Sequence, residues 1–167
     1  MIIEFSFILP VYNYENKIIG NVNRLINSIK KISNRYEIIL INDGSRDETI
    51  NKLIILKDRF KSVKIINLKT NFGKGYAIKK GIKKSRGKYL VFIDCDLPYF
   101  KKFKLVCSQI KQPNNDIIII SRGKSYFFES KKNRIAFFIR RIISSILSFF
   151  INIFLVKDFP DTQAGLK

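Results

Sequence analysis

Five short aliphatic runs constrain this chain more than any other feature, because none of them leaves room for a wet face. Phe5 to Leu9, Tyr36 to Ile41, Val63 to Leu68, Tyr89 to Ile93 and Asp116 to Ile120 read as strands. A strand with one solvated face alternates apolar and polar residues, whereas near-continuous apolar runs belong to strands covered on both sides. Segments of helical length separate them. Ile18, Val22, Leu25, Ile26, Ile29 and Ile32 recur at three- and four-residue spacing and form one face of a helix. Ser45 with Glu48 three residues on reads as a capping box that starts a second helix through Ile50, Leu53, Ile54 and Lys57. A third helix opens at Asn71 to Gly75 and runs to about Ser85, and Lys101 to Gln112 reads as a fourth. Alternating strands and helices predict an α/β, Rossmann-like, mostly parallel sheet with helices on both faces. At 167 residues and 46% hydrophobic, the expectation is a single domain over 1–167.

In such sheets ligands bind beyond the carboxyl ends of the strands. Those ends here are Pro10-Val11-Tyr12-Asn13, Asp43-Gly44-Ser45, Asn71 to Gly75, and Asp94-Cys95-Asp96. Each alone is an ordinary turn composition; four on one edge point to a crevice. The last is the most informative. A buried strand ends in two carboxylates one residue apart, and that repulsion is relieved by a divalent cation such as Mg²⁺ or Mn²⁺, whose shell substrate phosphates commonly complete. The alternative is a solvated Asp-rich turn. Gly73 and Gly75 do not make a dinucleotide fingerprint, since Ile78 stands at the third glycine position and the motif follows the third strand.

Composition excludes several chemistries. The chain has no histidine, so His-dependent triads and His-ligated zinc are ruled out, and its two cysteines, Cys95 and Cys107, lack metal-ligand spacing and suggest no disulfide framework. A formal net charge of +19 favours anionic partners: a phosphorylated substrate, an anionic membrane surface or nucleic acid. Nucleic acid is disfavoured, because no aromatic-basic stacking platform or base-reading motif is present. A Lys- and Ile-rich compositional bias is the bland alternative. The uncharged run from Ile142 to Val156 is shorter than the roughly 20 residues that span a bilayer. With Arg140 and Arg141 beside it, residues 135–156 read as an interfacial amphipathic helix, or else as a helix under the sheet.

Taken in order, the motifs Pro10-Val11-Tyr12-Asn13-Tyr14-Glu15-Asn16, Ile41-Asn42-Asp43-Gly44-Ser45-Arg46-Asp47, Asn71-Phe72-Gly73-Lys74-Gly75-Tyr76-Ala77, Ser85-Arg86-Gly87, Asp94-Cys95-Asp96-Leu97, Ser121-Arg122 and Asp161-Thr162-Gln163-Ala164-Gly165-Leu166-Lys167 span almost the whole chain. So ordered, they resemble the family 2 glycosyltransferases of the GT-A fold. Within that group they are most similar to the polyprenyl (dolichyl) phosphate hexosyltransferases, and nearest the glucosyltransferase branch. The resemblance implies a metal-dependent inverting transfer of a hexose from a nucleotide sugar, UDP-glucose favoured and GDP-mannose the alternative, to a lipid-linked phosphate. It implies donor-binding roles for Pro10, Tyr12, Asn13, Glu15, Asp43, Asn71, Gly73, Lys74 and Asp94, and metal and catalytic roles for Asp94 and Asp96. Asp161 and Gln163 would line the sugar side, and Arg122, Arg134 and Lys167 would hold the acceptor phosphate. It further implies a cytoplasmic, peripherally membrane-associated enzyme.

Two departures qualify the carry-over. Pro98 stands where many relatives carry a polar residue, and Lys101-Lys102 replace an acidic turn. The sequence also stops just after the Asp-Thr-Gln motif, which suggests a catalytic domain truncated at its C-terminus. The alternatives are therefore a family member with another acceptor, such as a cell-surface polysaccharide, and an inactive nucleotide-sugar-binding remnant.

Overall fold

The computed structural model describes residues 2–98, 100–113, 115, 117–118 and 120. Four strands, β1 (Phe5–Val11), β2 (Tyr36–Asp43), β3 (Val63–Leu68) and β4 (Tyr89–Phe92), form one sheet in the order β3-β2-β1-β4. Every pairing is parallel, with Ile8 opposite both Ile39 and Phe92, and Ile41 opposite Ile66. Helices α1 (Ile18–Ile29), α2 (Thr49–Arg59), α3 (Lys74–Lys84) and α4 (Phe103–Gln109) follow the four strands in turn, α4 after a 3₁₀ turn at Phe100–Lys102.

Strand alternation sorts the core into two layers. Ile8, Ile39 and Ile41 face α3, whose Ala77 completes that cluster with Ile66 and Leu68 packed against it. A Cβ added at Gly81 would lie 2.5 Å from Ile8 Cγ2, so α3 rests closer to the sheet than any residue with a side chain there would permit. The alternate residues Phe5, Phe7, Leu9 and Val11 are buried on the other side. There Phe103 of α4 meets Phe7 with ring centroids 5.6 Å apart. Helices thus cover both faces, and the expected α/β class is the observed one.

Boundaries shifted where local chemistry outvoted pattern. β1 continues past the expected stop, because the fixed φ of Pro10 suits an extended strand although the residue forfeits one ladder donor. The capping box does not form. Ser45 Oγ accepts from Asn13 N at 2.9 Å instead, and the Glu48 carboxylate accepts from Asn51 Nδ2 at 2.6 Å. Helix α2 begins at Thr49, whose N–H donates to Asp47 Oδ1 at 3.1 Å. The loop joining β1 to α1 has claimed the hydroxyl that the cap required. Ile117, Ile118 and Ile120 carry no strand assignment, contrary to the reading of Asp116 to Ile120. Ile117 and Ile118 instead help line an apolar cavity of about 480 Å³ beside β4, with Leu90, Phe92, Val106 and Ile110.

Both cysteines are free. No helix among the described residues is long and apolar enough to cross a membrane. The segment 135–156 lies outside the described residues.

Candidate active site

All four strands deliver their carboxyl ends to one edge, and sequence order reverses there between β1 and β4, the place where open α/β sheets bind ligands. A groove of about 380 Å³ opens at that edge, lined by Pro10, Val11, Tyr12, Tyr14, Asp43, Asn71, Gly73, Lys74, Asp94, Cys95 and Asp96. The structure therefore brings together Pro10, Tyr12, Asp43, Asn71, Gly73, Lys74, Asp94 and Asp96, which the sequence had placed on four separate tips. Asn13 and Glu15 stand one step back. Asn13 Oδ1 accepts from Arg46 N at 2.9 Å, and Glu15 Oε2 accepts from Glu48 N at 2.7 Å, so both tie the loop after β1 to the loop after β2. Arg122, Arg134, Asp161, Gln163 and Lys167 lie outside the described residues.

Asp43, buried at the end of β2, holds the next tip in place. Its Oδ1 accepts from Phe72 N and its Oδ2 from Gly73 N, both at 2.9 Å. Gly73 adopts φ 88°, which glycine reaches without a Cβ penalty. Gly44, at φ 68°, lies so near the Thr70 and Asn71 backbone that a Cβ would collide with it. Two neighbouring tips are thereby nested, and α3 starts from a fixed point.

That start places Lys74. Its Nζ reaches Asp94 Oδ1 at 2.6 Å and Oδ2 at 2.8 Å, and lies 5.1 Å from the Phe92 ring centroid. Asp94 is half-buried while Asp96 is exposed to the groove. Even so, Asp96 is held above the ordinary carboxylate range, first by desolvation against the groove wall and then by the negative charge of Asp94, with Lys74 offsetting part. Burial, followed by the charges of Asp96 and Asp94, pushes the Cys95 thiol up to about 12. With no divalent cation beside it, the thiol is neutral at ordinary pH. The hard oxygens of Asp94 and Asp96 remain, an anionic pair only partly compensated, and this donor set suits an oxygen-seeking divalent cation. No cluster of three or more metal-ligating side chains occurs among the described residues, so substrate oxygens and water would complete the shell.

The turn that carries the two aspartates is pinned from outside. Leu97 N donates to Asp94 O at 2.9 Å, and Leu97 itself sits at φ 53°, a left-handed conformation uncommon for a bulky residue. Asn21 of α1 donates from Nδ2 to Cys95 O at 2.9 Å and to Tyr14 Oη at 3.2 Å. Neither Asn21 nor Thr49, whose Oγ1 accepts from Tyr14 N at 2.7 Å, was singled out from sequence. The available signal was a polar Asn21 amid the apolar series Ile18, Val22, Leu25 on α1, and a Thr49 buried at a helix start.

Comparison with known proteins bears on the family and the fold. The profile described as Glycosyl transferase family 2 matches residues 6–166. The dolichyl-phosphate beta-glucosyltransferase of Dictyostelium discoideum is 34% identical over 175 residues, covering 99% of this chain and 53% of that protein. The Homo sapiens protein of the same name is 27% identical over 175 residues, 98% of this chain and 54% of its own. The chain thus spans about half the length of the curated relatives it matches. Among solved structures, the mannosyltransferase PcManGT from Pyrobaculum calidifontis, in complex with GDP-Man and Mn²⁺, superposes with a TM-score of 0.52 at 16% identity, covering 66% of this chain and 33% of that one. S. aureus TarS 1-349 gives a TM-score of 0.50 at 27% identity, covering 73% and 40%. The shared fold is GT-A.

Proposed function

The chain belongs to the glycosyl transferase family 2, and from that premise we propose that it transfers a hexose, glucose in the first instance, from a nucleotide sugar to a polyprenyl or dolichyl phosphate. The observation that carries the proposal is the meeting of Asp94, Asp96 and Lys74 with the tips of β1, β2 and β3 in one groove at the sheet's switch point. The glucosyltransferase relatives supply the substrate class, through identity that runs the length of this chain.

Within the groove, Tyr12 and the backbone around Pro10 and Val11 face the nucleoside, while Asp43 keeps the Asn71–Gly73 tip from drifting out of register. Asp94 and Asp96 would hold the divalent cation, Mg²⁺ or Mn²⁺, which when bound would neutralise charge on the diphosphate as it leaves. Lys74 adds an ammonium held by Asp94 on the same side, so leaving-group stabilisation comes from fixed charges already aimed at it. No histidine base is needed, because a phosphate acceptor is largely ionised at neutral pH, its second pKa being about 6. Arg122, Arg134 and Lys167 are proposed to receive that phosphate, and Asp161 with Gln163 to orient the hexose. Arginine suits the role through its planar bidentate fork. The enzyme would work at the cytoplasmic membrane surface, where such an acceptor resides.

The test is transfer of labelled glucose from UDP-glucose to dolichyl phosphate in detergent with Mn²⁺, beside GDP-mannose as donor. Transfer that Asp96→Asn abolishes is expected. An unchanged rate in that variant sinks the metal role, and transfer from GDP-mannose alone would replace the donor assignment.

A further inference from the structure

The exposed face of α3 carries a second feature that the groove does not use. Residues 69–88 hold eight Lys or Arg and no Asp or Glu, whereas residues 45–61, around α2, mix five with three. Along α3, Ala77 and Gly81 turn to the sheet, which leaves Tyr76, Lys79, Ile82 and Lys83 on the opposite, exposed arc at helical spacing. Phe72, just before the helix and 57% exposed, packs on Tyr76 with ring centroids 4.7 Å apart. Lys80 Nζ lies 5.2 Å from the Tyr76 ring centroid. Two aromatic rings are therefore held together at the surface at the start of α3, with cations along the helix beyond them and Ile82 further on, at the rim of the cavity beside β4.

We propose that this arc of α3 docks on an anionic phospholipid surface, with Phe72, Tyr76 and Ile82 entering the headgroup layer and Lys79 and Lys83 pairing with lipid phosphates. Lone exposed apolar residues need no explanation, but a fixed aromatic pair on a one-signed helical face is the composition of an interfacial helix. A lipid surface fits better than single-stranded nucleic acid. The rings tilt against each other at 32° and Lys80 lies over that of Tyr76, so the pair offers no open stacking platform for successive bases, and aliphatic Ile82 offers a base little. The arc borders Lys74 and Gly73 of the groove, so docking would set the groove's mouth beside the bilayer. The proposal does not depend on which sugar or acceptor the groove takes.

The full 167-residue chain is floated with phosphatidylcholine vesicles, with and without phosphatidylserine. Binding only to the anionic vesicles is expected. Lys79→Glu with Lys83→Glu should lower partitioning at least about 30-fold, since each of the two lost cations contributes about a fivefold factor near such a surface and the new carboxylates add repulsion. Phe72→Ser with Tyr76→Ser should lower it at least about tenfold. The control is Lys57→Glu with Lys61→Glu beside α2, a segment that also exposes Ile54 and Ile55. It alters net charge equally and should cost far less; an equal loss overturns the proposal in favour of diffuse attraction. Because the chain lacks Trp, Tyr76→Trp gives a unique fluorophore, and a blue shift on anionic vesicles is expected. No shift, or tighter binding to a single-stranded oligonucleotide that Lys79→Glu disrupts, overturns it. Thermal stabilisation by UDP, unchanged in the α3 variants, separates failure here from failure of the groove assignment.

Discussion

The two ends of the sheet carry carboxylates and set Glu37 and Asp96 in opposite surroundings. At the amino end, Glu37 is buried and saturated. Its Oε1 accepts from Ser6 Oγ at 2.6 Å and Arg86 N at 2.7 Å, and its Oε2 accepts from Lys64 Nζ at 2.6 Å. Burial alone would raise its proton affinity, but Lys64, Ser6 and the Arg86 amide outweigh that and leave it below the ordinary carboxylate range. At the carboxyl end, Asp96 has no such company among the described residues, and desolvation plus Asp94 holds it above that range. The amino end commits Glu37 to the fold; at the carboxyl end Asp43 is committed likewise and Asp94 pairs with Lys74, so the contrast rests on Asp96. Unpaired charge on a structural scaffold is a mark of a working site.

The comparison breaks most visibly if Asp96 proves dispensable. Asp96→Ala should lower turnover about 10²- to 10³-fold, the scale of removing one preorganised electrostatic contact, while the melting temperature stays near that of the parent. Next in size, Glu37→Ala should destabilise the fold by about 3 kcal/mol, because it strands the Ser6 hydroxyl and the Arg86 amide beside partly buried Lys64. Urea unfolding reads this, and donor affinity measured on the folded fraction should not change. Asn21→Ala should weaken Mn²⁺ binding about tenfold, as loss of an orienting contact behind a ligand does. Calorimetric titration with Mn²⁺ and UDP reports it, and an unchanged affinity would show that the turn holds itself.

The smallest effect concerns pH and has opposite signs at the two ends. Asp96 has a raised folded-state pKa, so its stabilising contribution is full below the unfolded value and is lost as pH rises through the folded one. Asp96→Asn should therefore gain a few tenths of a kcal/mol at neutral pH, small because solvent screens an exposed group, and the gain should vanish on acidification. Glu37 has a lowered pKa, so its contribution is present above the unfolded value and disappears as pH falls through the folded one. Glu37→Gln should converge on the parent only in that acid range. Denaturant midpoints measured from neutral to acid pH test both signs together.

The sheet was legible because solvent exclusion writes itself into sequence as unbroken apolar runs such as Ile38 to Ile41 and Tyr89 to Ile93. The groove was legible as far as turn residues and paired aspartates announce strand tips. What stayed hidden was the traffic between tips. Ser45 looked like a cap for its own helix, but hydrogen bonds across 32 residues of sequence recruited it to Asn13. Asp43 reads from sequence as a donor-binding residue, and nothing in composition announces that its two oxygens also accept amides from the next loop. Local pattern cannot rank a nearby partner against a distant one when both offer the same hydrogen bond. Asn21 was missed for the same reason: its partner, the Cys95 carbonyl, belongs to the backbone and leaves no trace in composition.

That amide from Asn21 has a wider consequence. The turn bearing Asp94 and Asp96 is steadied by a side chain that arrives from the first helix and never touches solute in the groove. Cation preference could therefore drift through changes at position 21 or at Tyr14 while the aspartates stay as they are. Engineers seeking to retune the ion would do well to begin there, behind the wall, and leave the paired acids alone.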